Sequence, residues 1–106
     1  MTIDDLPFDR KALANLCRQR GILRLEVFGS FARGTAGPTS DVDVLVTFDP
    51  AVSLGWTYWG IPDELSAVFG RPVDMLTRAV VETDHNAGFR ASVLATTEDL
   101  YHAAAA

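Results

Sequence analysis

LEVFGSFARGTAGPTSDVDVLVTFD, residues 25–49, holds the polar residues that local folding does not explain, and the rest of the chain is read outward from it. Leu23, Leu25 and Val27 alternate with Arg24 and Glu26, the period of a strand. The strand breaks at Gly29-Ser30, where a residue without a Cβ lets the backbone approach a ligand. A short helical turn, Phe31-Ala32-Arg33, is expected next. Strand, glycine and helix start together make a phosphate cradle, because the unpaired N–H groups of a helix N-terminus point toward an anion. Ser30 adds a hydroxyl to it. Past a loop over residues 34–39, the run from Ser40 to Phe48 is β-branched with a period of two, a second strand. Val42, Val44, Val46 and Phe48 fall on one face, leaving Asp41, Asp43 and Leu45 on the other, with the two carboxylates about 6–7 Å apart.

Aspartate is a poor strand former, and two like charges on one face repel, so a cation is expected to compensate them. Magnesium suits the pair, since it takes oxygen ligands, commonly one or two carboxylates with water and substrate phosphates. The plainer alternative makes one aspartate a turn cap and the other a solvated edge charge.

The whole string decides between them: Gly29-Ser30-x-Ala32-Arg33-Gly34, five residues, then Ser40-Asp41-x-Asp43. It resembles the signature of the polymerase-beta-like nucleotidyltransferase superfamily, and within it the minimal nucleotidyltransferases paired with HEPN-domain toxins. The resemblance runs nearly the full length. No lysine follows Gly34, which excludes the phosphate loop of P-loop NTPases. The resemblance implies an α/β (α+β) fold, a small mixed sheet of three or four strands with helices mainly on one face. It implies Asp41, Asp43 and Asp74 as catalytic and metal-holding residues, two Mg2+ ions, ATP as substrate, and Gly29, Ser30 and Arg33 on the nucleotide. It further implies AMP transfer to a tyrosine of a HEPN toxin. The alternative is an antitoxin that neutralises its toxin by occlusion alone.

At 106 residues with 48% apolar content, the chain is expected to form one domain over residues 1–106, its last four alanines a frayed tail. The acidic N-terminus and the lack of a long apolar run argue against a signal peptide and a membrane span, and a cytoplasmic location is expected. The net charge is −5, and Lys11 is the one lysine. Nucleic-acid binders draw their affinity from clustered Lys and Arg on phosphates, so no nucleic-acid partner is expected. The lone Cys17 excludes an internal disulfide and reads as core packing.

Asp9 reads as the cap of a first helix carrying Leu13, Leu16 and Cys17 inward, ended by Gly21. Ser53 is expected to cap a helix with the stripe Leu54, Tyr58, Ile61, Leu65 and Val68, kinked or divided near Pro62. Trp56 and Trp59 are expected in the core, and would mark a partner interface if exposed. Residues 71–77 read as a third strand, with Pro72 favouring an edge. Residues 78–86 carry no clear pattern. Residues 87–95 read as a last helix with Phe89, Val93 and Leu94 inward, followed by a short strand at Leu100 and Tyr101. His85 and His102 lack a ligand-spaced partner and read as surface residues.

Overall fold

Val42, Val44 and Val46 are fully buried on one face of the strand β2 (Val42–Phe48), and they fix where the main core lies. The computed structural model describes residues 1–103. In chain order its elements are α1 (Arg10–Gln19), β1 (Ile22–Phe28), α2 (Ser30–Arg33), β2, α3 (Ile61–Phe69), β3 (Val73–Thr77), α4 (Arg78–Glu82), α5 (Ala87–Leu94) and β4 (Glu98–His102). The strands form one mixed sheet in the order β3-β2-β1-β4. β1 pairs antiparallel with β2 and with β4, and β2 pairs parallel with β3. Of the three or four strands expected, four are present, with the Pro72-led strand at one edge and β4 at the other.

Leu13, Leu16 and Cys17 of α1 and Ile61, Leu65 and Phe69 of α3 meet the three valines, Leu25 and Val27 in this core. Asp9 caps α1 by accepting the Lys11 N–H at 2.8 Å. Burial pushes the Cys17 thiol up to about 12, which leaves it a packing group without thiolate chemistry. At the start of β1 a shift of register between Ile22 and Arg24 corrects the simple alternation: Ile22 takes the inner place and Leu23 turns out.

The divided helix expected around Pro62 is a 3-10 turn, Gly55–Gly60, running into α3, with Pro62 in the first turn of α3 where its missing N–H costs no hydrogen bond. Ser53 does not cap it: the residue before the turn is Leu54, with no side-chain cap. Trp56 and Trp59 lie outside the core, contrary to expectation, because the turn holds only Tyr58 against Phe48.

The second face of the sheet has its own smaller core, Phe28, Leu45, Val81 and Val93, covered by α4 and α5. Residues 78–82, unassigned from sequence, are therefore a short helix, begun where the Thr77 side chain accepts the Val80 N–H. Phe89 stays largely exposed, contrary to the inward reading of α5, and Val93 fills the inner place. The same cover buries Glu26, on the strand face opposite Leu25 and Val27. Its carboxylate takes Arg78 at 2.7 Å, Arg24 at 3.1 Å and the Thr97 hydroxyl at 3.1 Å. A carboxylate on a covered sheet face is tolerable only with its lone pairs satisfied in this way. Of the closing alanines, Ala103 donates its N–H to Leu23 O at 2.7 Å, and the remainder of the tail lies outside the described residues. Among the described residues no helix is long and apolar enough to cross a membrane.

Candidate functional site

Gly29 follows β1 with φ 69° and ψ −146°, a conformation closed to residues with a side chain. Space is a second constraint: a Cβ there would sit well inside contact distance of Asp43 Oδ2 and 3.2 Å from Asp43 Cγ. The backbone of the strand-to-helix turn thus lies directly on the Asp43 carboxylate, a closeness that only glycine permits. α2 starts at Ser30, and its turn is closed by Arg33 N–H donating to Gly29 O at 3.0 Å. Gly34, in the left-handed conformation, ends it. The sequence expectation of strand, glycine and helical turn is met, and Arg33 is exposed at the end of that turn.

Asp43 is opposite Phe28 on β1 and in register with Asp74 on β3. In-register residues of adjacent strands share a face at roughly 4.8 Å strand spacing, so Asp43 and Asp74 are side by side. Asp41 stands one residue before β2 and two before Asp43. Burial raises the Asp43 carboxyl above its ordinary value, the charges of Asp74 and Asp41 raise it further, and Arg33 opposes them. Asp43 is half-buried while Asp41 and Asp74 are exposed, so Asp43 is the member of the trio most in need of a cation.

The trio does not close into a cage: among the described residues no three acidic, histidine or cysteine side chains gather at one point. Asp41, Asp43 and Asp74 are neighbours on an open surface and leave positions for ligand or substrate oxygens. That donor set suits a hard cation that takes one or two carboxylates and fills the rest of its shell from water and phosphates.

Arg71 was missed as a site residue. Its guanidinium donates to Gly37 O at 2.9 Å and to Ser40 O at 3.1 Å, and stands 5.2 Å from the centre of the Phe31 ring. It joins the start of β3 to the loop that delivers Asp41 and to the helix after the glycine turn. The available signal was a basic residue one place before Pro72, and its partners are backbone carbonyls that no side-chain pattern reveals. The loop is further held where Ser40 Oγ accepts the Gly37 N–H at 2.8 Å and Val42 N–H donates to Pro72 O at 2.9 Å.

Comparison with known proteins bears on this geometry. The nucleotidyltransferase domain model matches residues 10–94. The protein adenylyltransferase MntA of Thermococcus cleftensis is 31% identical over 84 residues, which span 78% of this chain and 84% of the relative. A solved structure described as a minimal nucleotidyltransferase aligns with TM-score 0.67 and 31% identity over 92% of this chain and 95% of that one. A chain in the structure of the tri-AMPylated Shewanella oneidensis HEPN toxin in complex with MNT antitoxin aligns with TM-score 0.57 and 14% identity, over 89% of this chain and 70% of that one, a likeness of fold alone.

Proposed function

Since the chain belongs to the nucleotidyltransferase domain family, we propose that it transfers AMP from ATP to a tyrosine hydroxyl of a cognate HEPN toxin and so acts as an antitoxin. The observation that carries the reading is the contact of Gly29 with Asp43, beside Asp74 in register on the next strand. A turn that brings bare backbone against a half-buried carboxylate serves no packing purpose, and it sets amide groups and carboxylates within reach of one triphosphate.

In this reading Gly29 and Ser30 line the β- and γ-phosphates and Arg33 adds positive charge beside them. Asp41 and Asp43 would hold Mg2+, with Asp74 beside Asp43 completing the set. The all-oxygen donors and the uncompensated charge at Asp43 fit that ion. When bound, magnesium neutralises charge on the phosphate oxygens. The tyrosine oxygen attacks the α-phosphorus in line, the bond from that phosphorus to the bridging oxygen breaks, and pyrophosphate leaves. Asp74, exposed at the sheet edge, takes the phenolic proton. The chain's share is positioning and exclusion of wrong geometries, as expected for phosphoryl chemistry. Such a reaction belongs in the cytoplasm, where ATP and the toxin meet.

A second reading, neutralisation by occlusion without chemistry, is favoured by the exposure of Trp56 and Trp59. One experiment separates the two. Radiolabel transfer from α-labelled ATP to a cognate HEPN toxin is measured alongside rescue of growth in cells making that toxin. Asp41→Asn with Asp43→Asn is expected to abolish transfer and rescue with the fold intact. Full rescue by that variant, with no label transferred by the wild type, would leave occlusion as the function.

A further inference from the structure

Trp56 and Trp59 are 89% and 72% exposed, the largest apolar side chains left in water among the described residues. Trp59 is not loosely held. Tyr58, between the two tryptophans in sequence, packs its ring 5.7 Å from Phe48 and meets Trp59 edge-on at 5.3 Å, so the turn presents Trp59 from a fixed base. Val52, 42% exposed, lies in the segment leading to the turn. Rigid tryptophan offers large contact area with little ordering entropy to lose, which is why it dominates binding hot spots.

Charge identifies the occupant. Between Gly34 and Gly70 the chain has no Lys, Arg or His, and the charged residues flanking the turn in sequence are Asp49, Asp63 and Glu64. Glu64 is paired with Arg20 at 2.7 Å, whereas Asp63 is exposed. A second copy of this chain, docked about a twofold axis, would bring the exposed Asp63 toward the same charge on its mate, with a net charge of −5 on each copy. A partner with a basic rim gains where the second copy loses. The turn is also remote from the reacting groups. Tyr58 sits at Phe48, five residues along β2 from Asp43, roughly 17 Å at strand rise.

We propose that the Trp56 and Trp59 face is the docking surface for the toxin, which presents to it an apolar depression rimmed with Lys and Arg, while AMP transfer proceeds at the opposite end of β2. The inference rests on the proposed function only in taking a HEPN toxin as the partner.

The test uses the full chain and a cognate HEPN toxin, with affinity by calorimetry at low and high salt, melting temperature, sedimentation and label transfer. Trp56→Ser with Trp59→Ser is expected to melt as the wild type does, since the rings touch solvent. Its dissociation constant should rise at least about thirty-fold, the factor that corresponds to a hot-spot loss of about 2 kcal/mol. Label transfer should persist at saturating toxin. Asp63→Lys should weaken the complex, and wild-type affinity should fall as salt rises. Unchanged affinity in the double variant overturns the proposal, and so does a wild type that self-associates and becomes monomeric on losing the tryptophans. If the double variant melts early, Asp63→Lys decides, and unchanged affinity in it overturns the proposal. Wild-type transfer with normal binding by the tryptophan variants removes this inference and leaves the proposed function standing. Tight binding lost with the tryptophans, with no label transferred by the wild type, does the reverse.

Discussion

Replacing Gly29 with alanine tests the site most directly, because two separate costs meet at that residue. The first is backbone: φ 69° with ψ −146° is a conformation that essentially only glycine holds, and forcing a side chain into it costs about 1–3 kcal/mol. The second falls on Asp43, whose Oδ2 would lie within contact distance of the new methyl while Cγ lies at 3.2 Å. That oxygen is the free end of a half-buried side chain, so it yields by rotating away, a displacement of about 1 Å to reach ordinary contact. The stability loss should therefore stay near the backbone figure. The rate loss should be larger, since an ångström of misplacement at a reacting centre is worth about a hundred-fold. Denaturant unfolding and label transfer from ATP measure the two effects. A cycle with Asp43→Ala separates them: in that background the alanine at position 29 has no carboxylate to displace, so any stability cost beyond the backbone part should disappear. A Gly29→Ala protein with wild-type stability and wild-type transfer would refute the reasoning, as would a stability cost beyond the backbone part that persists undiminished in the Asp43→Ala background.

Asp43→Asn should leave the metal-free protein at least as stable as wild type near neutral pH. Asp43 is raised in the folded state by burial and by Asp74 and Asp41, so its stabilising share is present below its ordinary value and lost as pH rises through the raised one. The variant's advantage should accordingly vanish on acidification, and an advantage that grew toward low pH would contradict that sign. Glu26→Gln should destabilise the fold by about 1–3 kcal/mol, because it weakens the charge-assisted bonds to Arg78 and Arg24, which keep Glu82 and Asp99 as partners and partial contact with water; a melting temperature unchanged from wild type would show the network to be idle. Arg71→Met should remove two hydrogen bonds from a charged donor, about 2–3 kcal/mol in denaturant unfolding, and should slow transfer with ATP binding less affected. Normal transfer in that variant would mean that the loop before Asp41 holds its place without it.

The sequence alone determined the element that matters most. A strand broken by Gly29-Ser30, a short helical turn, and a second strand with valines on one face and aspartates on the other are all local patterns, legible because period and steric freedom act within a few residues. Asp74 was legible only through its family resemblance, since a single aspartate in an edge strand carries no local signal. Tertiary structure alone decided that β3 lies parallel and in register beside β2, which turns Asp74 from an edge charge into the neighbour of Asp43. It also decided that Gly29 rests on that same carboxylate, and that Arg71 fastens the intervening loop through backbone carbonyls. The burial of Glu26 was not legible, because alternation says which face a residue takes but not whether helices cover it, and α4 and α5 cover this one. Trp56 and Trp59 were read as core because hydropathy favours burial. The turn had room inside only for Tyr58, so the two larger rings were left in water, where an apolar surface finds its use in a partner.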